Sequence, residues 1–185
     1  MDLTPLETQR GFLYPMVNLK RPVPAYDPSR GLLHAEHFQI AYVTNDIDRA
    51  TEVFRERFGV REFRANDNEM PGGTSIAVRS VWIGDRMYEI CCGKGPGMEL
   101  YTDWAREGGD FTLKFHHLGY LILDDQAWSG LELQIEAGGW RVRTASDIPG
   151  FFRGCYVEVP ELGHFLEFVQ PREGLLERLN ATPVA

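Results

Sequence analysis

The stretch FHHLGYLILD, residues 115–124, is a short run of apolar, strand-forming residues that ends at a carboxylate. Side chains alternate along a β-strand, so His117 and Gly119 are predicted to share one face, with His116 on the other. A helical pattern begins directly after Asp124. A histidine at the mouth of an apolar strand face is either a candidate metal ligand or a structural residue that hydrogen-bonds locally.

The same pattern occurs earlier in the chain, as QIAYVTND at residues 39–46. Gln39 lies 78 positions before His117, and Glu89 lies 78 positions before Glu167. The strand residue and the carboxylate are therefore 50 positions apart in each half. Because two segments share one offset, and each has a polar residue at the repeated point, the sequence predicts a duplication of half the chain.

Composition limits the classes of partner. The chain has 185 residues, of which 43% are hydrophobic, which suits one compact domain or two small ones. The net charge of −8 and the isoelectric point near 5.1 argue against nucleic acid or an anionic membrane as a partner. No apolar run approaches the roughly 20 residues of a membrane span, and no signal-peptide pattern is present. Three cysteines, two of them adjacent, predict a reducing, cytoplasmic location rather than a disulfide framework.

Each half is predicted to fold as a β-α-β-β-β unit. Asn45-Asp46 and Asp124-Asp125 are expected to cap a helix in each half, and the helices are expected to end at Gly59 and at Gly138-Gly139. Strands are expected at 36–44, 60–65, 74–83, 86–92, 112–123, 140–145, 151–159 and 164–170. The segment 66–73 is rich in turn-forming residues. Further helices are expected at 98–106 and 173–180.

The predicted organisation has five parts. They are an N-terminal arm at 1–35, a first module at 36–97, a linker helix at 98–110, a second module at 111–170 and a C-terminal tail at 171–185. Five prolines break regular structure in the arm. The arm either packs on the domain surface or wraps a partner subunit.

This arrangement resembles the vicinal oxygen chelate superfamily, which includes glyoxalase I, epimerases and extradiol dioxygenases. The residues that carry the resemblance are QIAYVTND (39–46), YEI (88–90), HLGYLILD (117–124) and GHFLEF (163–168), within 36–170. It implies an α+β fold in which two tandem βαβββ modules form a cupped mixed β-sheet, with a metal and substrate site inside. It also implies that four side chains bind a divalent metal ion, namely Gln39, Glu89, His117 and Glu167. The superfamily supports many reactions on one scaffold, so the fold leaves the reaction open.

The chemistry of these four donors agrees with a metal site. Two carboxylates, one imidazole and one amide are hard oxygen and nitrogen donors, which suit Zn, Ni, Co, Mn or Fe(II). Open coordination positions would let a substrate oxygen bind and be polarised. The structural alternative places Glu89 and Glu167 on exposed strand faces and pairs His117 with the backbone.

Gln39 stands where most members of the superfamily have histidine. In this respect the set resembles that of some glyoxalase I enzymes. An extradiol dioxygenase would resemble a site of two histidines and one carboxylate, which requires histidine at position 39. His37 could serve only if the strand register slipped. The additional carboxylate, Glu89, favours proton transfer.

The resulting hypothesis is a metal-dependent isomerase, epimerase or lyase of the glyoxalase type. It would act on a carbonyl-containing small molecule through a metal-stabilised enediolate, with Glu167 or Glu89 as general base. Arg79 and Arg153, on the third strand of each half, are expected to face the cup and bind substrate. Two alternatives stay open, an Fe(II) extradiol-type dioxygenase and a non-catalytic small-molecule binder. A homodimer is expected because the cupped sheets of the superfamily often pair.

Overall fold

Two consecutive βαβββ units form the structure, a computed structural model that describes residues 22–106 and 109–185. The first unit consists of β1 (Glu36–Thr44), α1 (Ile47–Phe58), β2 (Arg64–Met70), β3 (Thr74–Ile83) and β4 (Arg86–Lys94). The short helix α2 (Glu99–Ala105) follows it. The second unit consists of β5 (Leu113–Leu121), α3 (Asp125–Gly138), β6 (Arg141–Ile148), β7 (Phe152–Val159) and β8 (His164–Pro171). A further helix, α4 (Glu173–Asn180), comes after it.

Helices α1 and α3 begin and end in the same way. The carboxylate of Asp46 accepts a hydrogen bond from the backbone N–H of Arg49 at 3.0 Å, and Asp124 caps α3 equivalently at 2.7 Å. Gly59 and Gly139 then end the helices in the left-handed conformation, with φ of 71° and 65°. Glycine adopts this conformation without a steric penalty. The predicted caps are confirmed, with Asp46 and Asp124 as the capping residues, and α3 ends at Gly138-Gly139 as predicted.

The eight strands form one mixed sheet in the order β2-β3-β4-β1-β5-β8-β7-β6. Parallel pairing aligns Gln39 of β1 with Met87 of β4, and His117 of β5 with Phe165 of β8. These two registers are the same, displaced by 78 residues. The predicted α+β fold, two βαβββ modules in one curled mixed sheet, is confirmed.

The two units meet where β1 and β5 pair antiparallel. Gln39 lies opposite Gly119, and at the equivalent point His117 lies opposite Ala41. The 78-residue offset exchanges these two pairs, which defines a pseudo-twofold axis between β1 and β5. The repeated polar residues therefore approach each other from neighbouring strands.

The β1–β5 ladder contains two β-bulges at equivalent positions. Phe38 in β1 and His116 in β5 are each left without a partner in the ladder. They are also 78 residues apart, so each bulge directly precedes a repeated polar residue, Gln39 or His117. A bulge bends its strand and re-aims side chains, so strict alternation fails at these points.

The two faces of the sheet are covered differently. On the convex face, Phe54 of α1 packs with Val81, and Leu131 of α3 packs with Val157. The concave face is flanked by α2 and α4 instead. Leu179 of α4 packs there with Phe38 and Met87, and Tyr101 of α2 packs with His116 and Tyr156. The concave face between α2 and α4 is where the repeated polar residues lie.

The edge strands differ most from the sequence prediction. β2 spans Arg64–Met70 rather than 60–65, and thus includes residues that the composition assigns to a turn. Its side chains are polar and mostly exposed, and a continuous antiparallel ladder with β3 holds it. β6 runs to Ile148 and is exposed along its length. Edge strands of this kind carry no hydrophobic alternation by which a sequence could identify them.

The predicted N-terminal arm lies largely outside the described residues. Its described part includes a 3-10 helix, Pro28–Arg30, and the carbonyl of Ser29 accepts a hydrogen bond from Gln134 of α3 at 2.7 Å. Leu32 and Ala35 belong to the core beneath α3. The homodimer stays a prediction. Every helix within the described ranges is too short or too polar to cross a lipid bilayer.

Replacement of either capping aspartate should destabilise the fold by a similar amount. Asp46→Ala and Asp124→Ala each remove one acceptor for a helical N–H, which should lower the free energy of unfolding by about 1 kcal/mol. Urea denaturation measures this. Asp46→Asn and Asp124→Asn keep an acceptor and are the matched controls. If the Ala and Asn variants unfold at the same urea concentration, the caps do not contribute to stability.

Candidate functional site

Gln39, Glu89, His117 and Glu167 lie together on the concave face of the sheet. They belong to its four central strands, β1, β4, β5 and β8. Three of them, Gln39, Glu89 and Glu167, line one cavity of about 130 Å³. Nε2 of His117 lies 3.2 Å from Oε2 of Glu167. The structure thus brings together the four residues that the resemblance selects.

His117 has a nitrogen without a hydrogen-bond partner at this site. Its side chain is fully buried, whereas that of Glu167 is 15% exposed. The distance of 3.2 Å is within the range of an ion pair, but Nε2 makes no hydrogen bond of acceptable geometry. The strength of a hydrogen bond depends on its angle as well as its length, so the short distance alone does not satisfy Nε2. A buried polar atom that lacks a partner costs about 1–3 kcal/mol, which makes Nε2 a candidate ligand atom.

The opposite nitrogen of His117 is held by His116. The two Nδ1 atoms are 2.8 Å apart, and Nε2 of His116 lies 3.0 Å from the carbonyl oxygen of Leu100 in α2. The His116 ring is buried against the rings of Trp104 and Phe165. Burial, and then the neighbouring His117, lower the pKa of His116 to about 3. His116 is therefore uncharged at neutral pH.

Glu89 is held by a thiol. Sγ of Cys91 donates a hydrogen bond to Oε1 of Glu89 at 3.1 Å. Burial, and then the Glu167 carboxylate, raise the pKa of Glu89. Burial also raises the pKa of Cys91 well above its usual value. The thiol therefore stays protonated, and its hydrogen bond fixes the orientation of the Glu89 carboxyl group.

Gly119 leaves the space that Gln39 occupies. A Cβ at position 119 would lie 2.8 Å from Cβ and 2.9 Å from Oε1 of Gln39, closer than real contacts allow. Gln39 is buried, and its side-chain amide makes no hydrogen bond with any described residue. Its oxygen is thus free to serve as a ligand.

Helix α4 contributes a cation to the same cavity, Arg178. When the Asn66 amide is oriented with its oxygen towards the guanidinium, both terminal nitrogens of Arg178 donate to it at 3.1 Å. Burial lowers the pKa of Arg178, and the Glu89 charge opposes that shift most strongly. No carboxylate in the described parts of the chain forms an ion pair with Arg178. The guanidinium is thus a positive charge available to the cavity.

A larger cavity, of about 410 Å³, reaches Glu167 from the side of α2. Glu167 and Phe152 line both cavities. The hydroxyl groups of Tyr101 and Tyr156 lie 3.3 Å apart in the wall of the larger cavity. Burial raises the pKa of both tyrosines well above the usual value. Both hydroxyls therefore remain protonated, and because one donates to the other, one hydrogen is left to bond a ligand.

Arg79 and Arg153 do not face this site, so their predicted orientation is wrong. Arg153 forms an ion pair with Glu132 of α3 at 2.6 Å, and lies over the ring of Trp128. Arg79 pairs with Asp67 of β2. In β3 the next residue, Ser80, lines the smaller cavity, and in β7 Phe152 and Gly154 line the larger one. Alternation along each strand therefore directs the two arginines to the opposite face.

Several residues at the site have no clear signal in the sequence. His116 belongs to the quoted stretch, but simple alternation assigns it to the other face. Tyr101 and Arg178 come from helices whose docking positions depend on tertiary contacts.

His37, the alternative iron ligand, bonds through Nε2 to the carbonyl of Gln39 at 3.0 Å. Gln39 rather than His37 lines the cavity with Glu89 and Glu167, so the register has not slipped towards a two-histidine arrangement.

The donor set fits a divalent ion such as Zn, Ni, Co, Mn or Fe(II) by its chemistry. The partnerless Nε2 of His117 and the unbonded amide of Gln39 are the observations that favour this fit. As the side chains stand, residues 22–106 and 109–185 contain no three His, Cys, Asp or Glu groups close enough to hold an ion. The metal site remains a prediction.

Solved structures with the same fold include epimerases. The methylmalonyl-CoA epimerase from Mycobacterium tuberculosis matches with a TM-score of 0.53 and 15% identity, over 77% of this chain and 91% of its own. A Streptomyces coelicolor methylmalonyl-CoA epimerase variant in complex with 2-nitronate-propionyl-CoA matches with a TM-score of 0.51 and 17% identity. The match covers 74% of this chain and 97% of that one. A hypothetical protein from Bacillus halodurans matches with a TM-score of 0.52 and 12% identity, over 75% of this chain and 95% of its own.

No family model matches the sequence, and no curated protein has a significantly similar sequence. At identities of 12–17% the structural likeness establishes the fold alone. The predicted resemblance is confirmed at that level. The chain has a curled half-barrel mixed sheet, as these epimerase structures have.

Proposed function

We propose that this chain is a metal-dependent isomerase of the epimerase type, which moves a proton at a carbon next to a carbonyl group. One observation carries the proposal. The pseudo-twofold axis relates two carboxylates, Glu89 and Glu167, that line one cavity beside the partnerless Nε2 of His117. Proton transfer to and from carbon requires such positioned acid and base groups.

Gln39, Glu89, His117 and Glu167 are the residues that would hold the ion. A bound divalent ion would polarise the carbonyl oxygen of the substrate and make the neighbouring C–H more acidic. Zn, Ni, Co, Mn and Fe(II) are the divalent ions that suit these oxygen and nitrogen donors. The proposal names this class and not a single ion.

Glu167 is the better candidate for the base. It is partly exposed, and it is the only carboxylate of the described chain that lines both cavities near the site. Its carboxylate would take the proton from carbon, and the electron pair left behind would delocalise onto the carbonyl oxygen. Glu89, which the pseudo-twofold axis relates to Glu167 in the same cavity, is the candidate to return a proton to the other face of the carbon.

The larger cavity is the proposed substrate pocket. Its 410 Å³ and its tyrosine hydroxyls suit the acyl part of a small carbonyl compound. The epimerases that share the fold are named for methylmalonyl-CoA. Acyl thioesters are therefore the first class to test. A lyase acting through the same proton abstraction is compatible with this site.

Solvent exchange tests the reaction. In D₂O, protein supplied with Co²⁺ or Zn²⁺ should exchange the α-hydrogen of methylmalonyl-CoA, which ¹H NMR and mass spectrometry follow. Glu167→Gln should slow this exchange by about 10²–10⁴-fold, the usual contribution of a general base. Glu161→Gln, on an exposed turn outside both cavities, is the matched control and should exchange at the wild-type rate.

The outcomes separate the alternatives. Thioester binding without exchange would overturn the isomerase and favour the non-catalytic binder. Consumption of O₂ with an aromatic diol would favour the dioxygenase. Wild-type exchange by Glu167→Gln would show that another group is the base.

Metal content tests the site directly. His117→Ala removes the one nitrogen donor of the set, so the variant should lose most of its bound ion. Gln39→His should keep it, because imidazole is also a good ligand. Equilibrium dialysis with elemental analysis measures the stoichiometry, and His34→Ala, on the surface, is the control. An unchanged ion content in His117→Ala would place the ion elsewhere.

A further inference from the structure

We propose that His116 is a positioning residue that holds His117 in the tautomer whose Nε2 is unprotonated and able to bind an ion. The inference rests on the proposed metal site for its purpose, but the tautomer itself is a property of the protein. It follows from three successive contacts, which connect α2 through both imidazole rings to Glu167.

The line begins at a carbonyl group. The oxygen of Leu100 only accepts hydrogen bonds, so Nε2 of His116, 3.0 Å away, carries the hydrogen. In an uncharged imidazole the other nitrogen is then an acceptor. Burial of His116 against Trp104 and Phe165 favours that uncharged form.

The second contact transfers the constraint to His117. Because Nδ1 of His116 accepts, Nδ1 of His117, 2.8 Å away, must donate. The remaining nitrogen of a neutral His117 is Nε2, which then has a lone pair and no hydrogen. This nitrogen is the buried atom without a hydrogen-bond partner, 3.2 Å from Glu167. A histidine held in this way by its other nitrogen is a prepared metal ligand.

The bulge makes the contact possible. In a regular strand, neighbouring side chains point to opposite faces, and two consecutive histidines could not hydrogen-bond through Nδ1. His116 is the extra residue of the β1–β5 ladder, and it lies against α2 next to His117. The bulge therefore has a chemical consequence as well as a geometric one.

The first unit provides an internal comparison. At the equivalent bulge, Phe38 precedes Gln39 and packs with Leu179 of α4. Phenylalanine cannot hydrogen-bond to its neighbour. A glutamine ligand has no tautomers, so its oxygen is an acceptor whatever stands beside it. The polar bulge residue occurs only beside the ligand that needs one.

The experiment reads the tautomer and the affinity separately. In apo protein at pH 8, long-range ¹H–¹⁵N NMR should show a protonated Nδ1 and an unprotonated Nε2 on the His117 ring. His116→Phe removes the acceptor, and the hydrogen should move to Nε2, where Glu167 can accept it. Calorimetric titration with Co²⁺ should then show affinity weakened by about 10–100-fold, the usual effect of losing a partner that orients a ligand.

Two further variants separate positioning from packing. His116→Asn keeps an acceptor near the Nδ1 position and should retain most of the affinity and the wild-type tautomer. Thr112→Val loses the hydrogen bond from Oγ1 to the carbonyl of Ala105 at the end of α2, without removing the acceptor for His117. It should leave the Co²⁺ affinity unchanged.

Two results would overturn the inference. One is a wild-type His117 that carries a hydrogen on Nε2 at pH 8. The other is a folded His116→Phe protein with wild-type tautomer and Co²⁺ affinity. If the wild type binds no ion but shows the expected tautomer, the positioning role stands and the proposed metal-dependent function fails.

Discussion

The antiparallel pairing of β1 with β5 is the constraint on which the site depends. It joins the two units around the pseudo-twofold axis and brings Gln39 and His117 onto adjacent strands. The parallel partners β4 and β8 then carry Glu89 and Glu167 to the same centre in identical registers. A slip of one residue in this ladder would turn Gln39 or His117 to the face that α1 and α3 cover. Site and fold are therefore specified by the same set of hydrogen bonds.

The electrostatics of the site follow from placing two carboxylates in a partly buried cavity. Burial, and then the repulsion from Glu167, raise the pKa of Glu89, and the Cys91 thiol donates a hydrogen bond to that carboxyl group. Arg178 adds one positive charge from α4 without pairing with a described carboxylate. A divalent cation would balance the two carboxylates and leave the Arg178 charge for an anionic substrate or intermediate.

The repeat allowed the fold and the shared position of Gln39, Glu89, His117 and Glu167 to be predicted from the sequence, whereas their role as metal ligands is what the resemblance implies. One offset of 78 residues relates Gln39 to His117, Glu89 to Glu167, and the β1–β4 register to the β5–β8 register. Once the first pair of residues is matched, the other positions follow. The orientation of Arg79 and Arg153 could not be fixed in this way, because neither carries the repeated pattern and the phase of their strands depends on the hairpins before them. The role of His116 depends on a bulge, which no alternation pattern reveals. Arg178 and Tyr101 depend on where α4 and α2 dock.

The position of Glu167 between two cavities has a consequence for the fate of a proton. A carboxyl group that opens to a single pocket is sealed when substrate fills it, and the abstracted proton returns to the same molecule. Glu167 also borders the smaller cavity, through which water can reach it while substrate fills the larger cavity. Isotope from the solvent would then enter the recovered starting material as well as the product. The ratio of label in the two would report how quickly each cavity exchanges with bulk water.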